Sequence, residues 1–97
     1  MTAKERAKLR SIAMTLQPTT HIGKNGVTEE VVVQLTEQLQ AHELVKINVL
    51  KNCDYTAKEI AGEVALGAGA EVVQVLGNKI TLYKVSTKEG VKHLLEI

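Results

Sequence analysis

Aromatic residues are almost absent from this sequence of 97 residues. It contains no Phe or Trp, and Tyr55 and Tyr83 are its only aromatic side chains. Proteins that bind single-stranded nucleic acid usually stack bases on several aromatic rings. Tyr83 lies in the middle of a predicted strand, where we expect its ring in the core. Base stacking should therefore contribute little, and any nucleic-acid binding should depend on backbone or shape.

Disulfides and long apolar runs are missing as well. The single cysteine, Cys53, cannot form an internal disulfide, which is typical of a reducing compartment. No stretch approaches the roughly 18 apolar residues of a membrane span. The N-terminal MTAKERAKLRSIAM is charged and periodic, unlike a signal peptide. We therefore expect one soluble, cytoplasmic domain over residues 1–97, with no membrane partner.

Motifs for catalysis and for cofactor binding are not found. The phosphate-binding pattern G-x-x-x-x-G-K-[ST] does not occur, and GAGA at residues 67–70 falls at a predicted helix end. The spacing of His21, His42, His93 and Cys53 does not suggest a metal site. The sequence around Cys53 offers no base that would activate the thiol. The chain is predicted not to be an enzyme and to bind neither a metal nor a cofactor.

Charge is unevenly distributed, although the formal net charge is only +1. Ahead of residue 29 there are five basic residues and one acid, Glu5, whereas residues 29–45 contain four acids and no Lys or Arg. The five basic residues are Lys4, Arg6, Lys8, Arg10 and Lys24. This asymmetry indicates a basic patch, and ordinary charged helix surfaces are the alternative interpretation.

Hydrophobic periodicity predicts three helices and four strands. The helices cover residues 2–16, 28–42 and a segment following Asp54, and the strands cover residues 19–22, 43–51, 71–76 and 79–85. We expect Thr2 and Glu5 to form a capping box at the first helix, and Thr28 to cap the second. Gly77-Asn78 is typical of a tight hairpin turn between the last two strands. Residues 85–97 show no clear register, and we expect a partly disordered tail.

The order helix, strand, helix, strand, helix, strand, strand is an α/β pattern. Strands separated by helices should run parallel through right-handed crossovers, and the final hairpin should add one antiparallel strand. The prediction is a two-layer fold in which helices pack on a mixed four-stranded sheet.

The segment Gly23-Lys24-Asn25-Gly26 connects the first strand to the second helix. Asn-Gly is common in hairpins, but helical periodicity follows it here. A helix start gathers unpaired amides and favours anions, and glycines let a phosphate approach the backbone. This is the logic of the G-x-x-G loop of KH domains. Two first-turn acids, Glu29 and Glu30, oppose a phosphate there, and a plain turn remains the alternative.

Longer stretches resemble the CRM domain, the chloroplast RNA splicing and ribosome maturation domain, and its stand-alone bacterial YhbY-like members in particular. They are LRSIAMTLQPTTHIGKNGVTEEVV, LQAHELVKINVL and GAEVVQVLGNKITLYK, which together cover about residues 9–84. The resemblance implies a fold similar to the C-terminal domain of translation initiation factor three, with sheet order 1-2-4-3. It also implies RNA binding through the glycine loop and association with precursors of the large ribosomal subunit. Gln17 and Lys84 stand where the family usually has a basic residue and Arg.

The sequence therefore predicts a monomeric RNA-binding protein that assists large-subunit assembly, with ribosomal RNA and ribosomal particles as partners. The expected contacts are Gly23, Lys24, Asn25 and Gly26 of the loop, Lys4, Arg6, Lys8 and Arg10 of the first helix, and, by the resemblance, Lys84. Three alternatives remain open. They are a small architectural DNA binder, a protein-interaction module using the acidic residues 29–43, and a small hydrolase using Cys53.

Overall fold

The computed structural model describes residues 1–95, which fold into three α-helices and four β-strands. In chain order these are α1 (Ala3–Ala13), β1 (Thr20–Ile22), α2 (Glu29–His42), β2 (Leu44–Val49), α3 (Ala57–Ala68), β3 (Glu71–Leu76) and β4 (Lys79–Tyr83). The predicted order is confirmed, and α1 ends at Ala13 rather than at residue 16.

Side-chain caps explain where the helices begin. Thr2 and Glu5 form a capping box at α1, as the sequence predicts, and Thr28 caps α2 by accepting a hydrogen bond from the Val31 amide. A second capping box, formed by Thr56 and Glu59, starts α3 and was not predicted. Each cap satisfies amides that would otherwise lack a partner, so short sequence signals fix all three helix starts.

The sheet has the strand order β1-β2-β4-β3. β1 is parallel to β2, and β4 is antiparallel to both of its neighbours. A mixed four-stranded sheet with a terminal hairpin is thereby confirmed, and the order agrees with the one that the family resemblance implies. Gly77, with φ of 59°, supplies the positive dihedral angle that the two-residue hairpin needs.

Helices cover both faces of the sheet, in contrast to the predicted two layers. Successive residues of a strand point to opposite faces. Val45 of β2 therefore packs in the cluster beneath α2 and α3, whereas Leu44 packs with Leu9 and Ala13 of α1. The apolar stripe of α1 needs its own partner surface, and the alternation in β2 provides it on the face opposite α2. The architecture is three layers: α1, the sheet, and the α2–α3 pair.

The tail is packed, although we expected it to be partly disordered. Residues 86–95 contain no helix or strand, but the Ser86 and Leu94 amides donate to the carboxylate of Glu43 at 2.6 and 2.8 Å. Leu95 is buried in the same cluster as Leu9. The sequence pattern of the tail could not reveal these contacts, because they join residues that are more than forty positions apart. Residues 96 and 97 of the predicted tail lie outside the described residues.

Three connections meet at one end of the sheet, because β1, β2 and β3 all run in the same direction. They are residues 23–28, residues 50–56 and the hairpin turn at residues 77–78, and together we call them the loop end. Backbone hydrogen bonds tie them to one another: the Leu50 amide donates to Ile22, and the Val49 amide donates to Asn78, both at 2.8 Å. The opposite end carries the carboxyl termini of α2 and α3.

Candidate nucleic-acid interface

The segment Gly23-Lys24-Asn25-Gly26 forms a closed turn at the loop end. The Gly26 amide donates to the Gly23 carbonyl at 2.9 Å, and Gly26 has φ of 63°. Lys24 and Asn25 are exposed at the tip. Their two amides donate to no acceptor within residues 1–95. The tip therefore presents backbone N–H groups beside a lysine, an arrangement that can bind an anion.

Neighbouring side chains hold this turn on one side. A Cβ atom on Gly23 would lie 2.9 Å from Oδ1 of Asn52 and 3.3 Å from Cδ1 of Leu50. A Cβ atom on Gly26 would lie 3.5 Å from two ring carbons of Tyr55. Both glycines therefore allow the segment after β2 to pack directly on the turn. Sequence reasoning assigned the glycines to ligand approach and did not find this second, structural reason for them.

The start of α2 lies beyond the turn, separated from it by Val27 and Thr28. Thr28 accepts the amide of Val31 through its hydroxyl and the amide of Val32 through its carbonyl. The first turn also carries the exposed Glu29 and Glu30, whose charges satisfy the helix dipole. We had expected a phosphate at the helix start, but the geometry favours the tip of the turn.

A polar row crosses three strands beside the turn, on the face of α1. The strand register aligns His21 with Asn48 and Asn48 with Lys79. Lys79 Nζ and Asn78 Nδ2 donate to Oδ1 of Asn48 at 2.8 and 3.0 Å, and Nδ2 of Asn48 lies 3.3 Å from Nδ1 of His21. His21 is exposed. Sequence reasoning missed this row, because only strand pairing brings residues from three separate segments together.

Arg10 of α1 lies on the same face as this row and shares a cavity with Lys79, which belongs to the row. It is exposed, and it lines a small cavity of about 90 Å³ together with Lys46 and Lys79. Lys8 is also exposed on α1. Arg10 is therefore accessible to solvent on this face, and its contact with RNA stays a prediction.

Arg6 differs from that prediction, because its guanidinium points to β3 rather than outward. Its Nη1 donates to the carbonyls of Val72 and Val73 at 2.8 and 2.9 Å. The β3–β4 pairing shifts register between Val72 and Gln74, which leaves Val73 in a bulge. Arg6 therefore donates hydrogen bonds to carbonyls at the bulge of an edge strand. Sequence periodicity could not reveal this structural partner.

Two other predicted contacts lie at the end of the sheet opposite the turn. Lys84 Nζ donates to the carbonyl of Ala68 at 3.3 Å, where a cation stabilises the carboxyl terminus of α3. Lys4 is exposed in the first turn of α1. Its neighbour Glu5 lines a cavity together with Lys84, which places Lys4 at the same end of the sheet as Lys84. The structure therefore brings Lys24, Asn25 and the two glycines together. Arg10 lies instead with Lys46 and Lys79 on the face of α1, and Lys4 and Lys84 lie at the opposite end of the sheet.

Tyr83 is buried in the α1 cluster, as predicted. Burial raises the pKa of its phenol, and the charges of Glu43, Glu5 and Glu71 raise this pKa further.

Within residues 1–95 there is no group of three or more His, Cys, Asp or Glu side chains suited to holding a metal ion. None of the helices in the described part of the chain combines the length and apolarity that membrane crossing requires.

Comparisons with known proteins identify the family of this chain. A sequence profile of the CRS1 / YhbY (CRM) domain matches residues 1–84. The chain is 40% identical over 86 residues to the Probable RNA-binding protein YqeI of Bacillus subtilis (strain 168), covering 89% of this chain and 90% of that protein. It is 38% identical over 97 residues to the Probable RNA-binding protein MJ0652 of Methanocaldococcus jannaschii, covering 98% and 70%.

A solved structure supports the same assignment. The solution structure of SAV1595 from Staphylococcus aureus matches with a TM-score of 0.76 and 35% sequence identity, over 92% of this chain and 93% of that one. The profile match, the two relatives and this structure agree along nearly the whole chain. The protein belongs to the CRS1 / YhbY (CRM) domain family.

Proposed function

We propose that this protein binds RNA at the loop end, through the closed turn at residues 23–26. The observation that carries the proposal is the tip of that turn, where two unbonded amides stand beside the exposed Lys24. Amides and a lysine together suit a phosphate oxygen. Relatives at 40% and 38% identity are named as RNA-binding proteins, which supports RNA as the ligand.

Charge around the turn supports contact with several phosphates. Lys51 and Lys58 are exposed on the segments that adjoin it, and Arg10 and Lys79 lie on the side of the polar row. Phosphate contacts of this kind position a protein on nucleic acid without reading its sequence. Specificity should then come mainly from RNA shape and from unpaired bases. Lys4, Lys8 and Lys84 would contact only an RNA that extends along the molecule.

The finer proposal is that the RNA belongs to precursors of the large ribosomal subunit and that the protein assists their assembly. It would act there as a monomeric binder in the cytoplasm and not as an enzyme. The resemblance to stand-alone YhbY-like members supports this choice of target. A binder that recognises shape and unpaired loops suits a folded RNA of this kind.

Salt-dependent binding tests the phosphate contact. We would titrate a fluorescein-labelled fragment of large-subunit ribosomal RNA with wild type, Lys24→Ala and Lys92→Ala, an exposed lysine of the tail serving as control. Lys24→Ala should weaken binding and reduce the slope of log K against log salt by about 0.7 to 0.9. Lys92→Ala should change neither quantity. Equal binding by Lys24→Ala and wild type would contradict the proposal, and duplex DNA as competitor would test the architectural alternative.

Sedimentation of cell lysates tests the ribosomal target. Tagged wild type should travel with large-subunit precursors at low salt and be released as salt rises, whereas Lys24→Glu should stay at the top of the gradient. Circular dichroism of each purified variant would verify that it is folded. If Lys24→Glu travels with the particles as well as wild type does, the association depends on another surface.

A groove between α2 and α3 supports a second candidate function, binding to a basic protein of the same particles. Val33 is 56% exposed and Leu66 is 86% exposed along it, and Glu29 and Glu63 line its sides. An apolar strip between carboxylates is complementary to a lysine-rich segment that also carries apolar side chains. On this alternative, Leu66→Lys should remove the protein from particles while its affinity for naked RNA stays unchanged.

A further inference from the structure

Tyr55 occupies an unusual position for one of only two aromatic residues in the chain. Its ring lies against Gly26, with Cδ2 and Cε2 each 3.5 Å from the position of a Cβ atom on that glycine, yet 54% of the residue is exposed. The other tyrosine, Tyr83, is buried at 9% exposure. The core therefore uses one aromatic ring, and the other is presented to solvent beside the turn.

The segment that carries Tyr55 has a second partly exposed apolar residue at the same place. Leu50 is 40% exposed, and its Cδ1 lies 3.3 Å from the Cβ position of Gly23. The amide oxygen of Asn52, which lies between them in sequence, is 2.9 Å from the same Cβ position. One wall of the turn is thus formed by an aliphatic side chain, an amide and an aromatic ring, all from residues 50–55.

These observations distinguish two sides of the turn. Its tip offers amides and Lys24, which suit a phosphate, whereas its wall offers an aromatic face and an amide, which suit a nucleobase. Bases are available for stacking only where they are unpaired, because a paired base is already enclosed in its duplex. We propose that Tyr55 stacks on an unpaired base of the strand whose backbone lies on the turn, so that the preferred ligand is single-stranded RNA.

This inference rests on the proposed function and makes it narrower. It also changes the expectation from composition, by which stacking should contribute little. A single ring is sufficient for stacking when the turn already holds the RNA backbone next to it. The strand has then lost much of its conformational freedom, so stacking one base costs less additional entropy.

The experiment uses full-length variants and two probes, a fluorescein-labelled single-stranded RNA of 12 nucleotides and the same sequence in a blunt RNA duplex. Tyr55→Ala should weaken single-strand binding about 5- to 160-fold, the range that corresponds to removal of a stacking ring. Tyr55→Phe, which keeps the ring, should bind within about twofold of wild type. Neither substitution should change duplex affinity, and thermal melting would verify folding, which an exposed side chain should tolerate.

A double-mutant cycle with the RNA tests the contact itself. An abasic nucleotide is introduced at successive positions of the single strand and titrated with wild type and Tyr55→Ala. At one position the abasic substitution should weaken binding to wild type and have no further effect on Tyr55→Ala. 2-Aminopurine at that position should lose fluorescence on binding to wild type and to Tyr55→Phe, but not on binding to Tyr55→Ala.

The outcomes separate the two proposals. If Lys24→Ala weakens single-strand binding and Tyr55→Ala does not, the stacking inference is overturned and RNA binding at the turn stands. If neither substitution weakens binding, the proposed function itself fails. If Tyr55→Phe binds as poorly as Tyr55→Ala, the hydroxyl rather than the ring makes the contact, which also overturns stacking.

Discussion

The buried carboxylate of Glu43 meets the imidazole of His93 at 2.7 Å and thereby fastens the tail to the body of the protein. Glu43 is fully buried and ends α2 with φ of 65°, the only positive φ among the non-glycine residues of the described chain. The same carboxylate accepts the amides of Ser86 and Leu94. A residue that composition assigns to an acidic surface is therefore an internal anchor.

Acid should loosen this anchor. Burial raises the pKa of the Glu43 carboxyl, but hydrogen bonds from Ser86, His93 and Leu94 outweigh burial and hold the pKa below its ordinary value of 4.5. A lowered folded-state pKa adds stability that is complete above about 4.5 and is lost as pH falls through the lowered value. Urea unfolding between pH 7 and pH 3 should show this loss in wild type. A Glu43→Gln variant should lose less over the same interval, and parallel losses would contradict the assignment.

Glu43→Gln should also be costly at neutral pH. The amide nitrogen of glutamine would face a backbone donor where the carboxylate accepts three hydrogen bonds, so we expect a loss of about 2–4 kcal/mol in the free energy of unfolding. Glu37→Gln on the exposed surface of α2 is the matched control and should change stability by less than about 0.5 kcal/mol. Hydrogen exchange should report faster exchange at the Ser86 and Leu94 amides in Glu43→Gln alone. Unchanged exchange there would argue against the anchor.

Arg6 and Arg10 should separate stability from binding, although the two residues lie one helical turn apart on α1. Arg6→Ala removes two hydrogen bonds from a charged donor to the β3 bulge and should lower the free energy of unfolding by about 1.5–3 kcal/mol. Arg10→Ala should leave stability within about 0.5 kcal/mol and weaken RNA binding at low salt. Chemical denaturation and RNA titration of both variants would check this. Weakened RNA binding by folded Arg6→Ala would count against the structural role.

Alanine should have opposite effects at two glycines. Gly26 has φ of 63°, so Gly26→Ala should cost about 1–2 kcal/mol. Gly62 lies within α3, where an added Cβ would meet no side chain and no other segment within 4 Å, and Gly62→Ala should add about 0.5–1 kcal/mol. Gly26→Asn should cost less than Gly26→Ala, because asparagine tolerates the left-handed region. Thermal melting of the three variants is the measurement, and equal melting points for Gly26→Ala and wild type would disprove the strain.

Local signals in the sequence were sufficient for the elements and for the turn. Periods of 3.6 and 2 residues, the Thr28 cap and the Gly77-Asn78 turn depend on neighbours within a few positions, so they can be found without the fold. The glycine turn was found for the same reason. Its placement between a strand and a helix follows from the periodicity on either side, and the structure agrees with it.

Which side chains share a surface depends on long-range contacts that local patterns do not contain. α1 packs on one face of the sheet because α2 and α3 cover the other face. Arg6, Glu43 and Tyr55 have their roles because their partners are distant in sequence or lie across a turn. A sequence does not distinguish an arginine that faces solvent from one that donates hydrogen bonds to the carbonyls of a bulge. Periodicity and turn signals are thus sufficient to predict a CRM-like α/β domain with a glycine turn. Contacts between distant segments place Tyr55 against that turn and put the predicted Lys4 and Lys84 at the other end of the sheet.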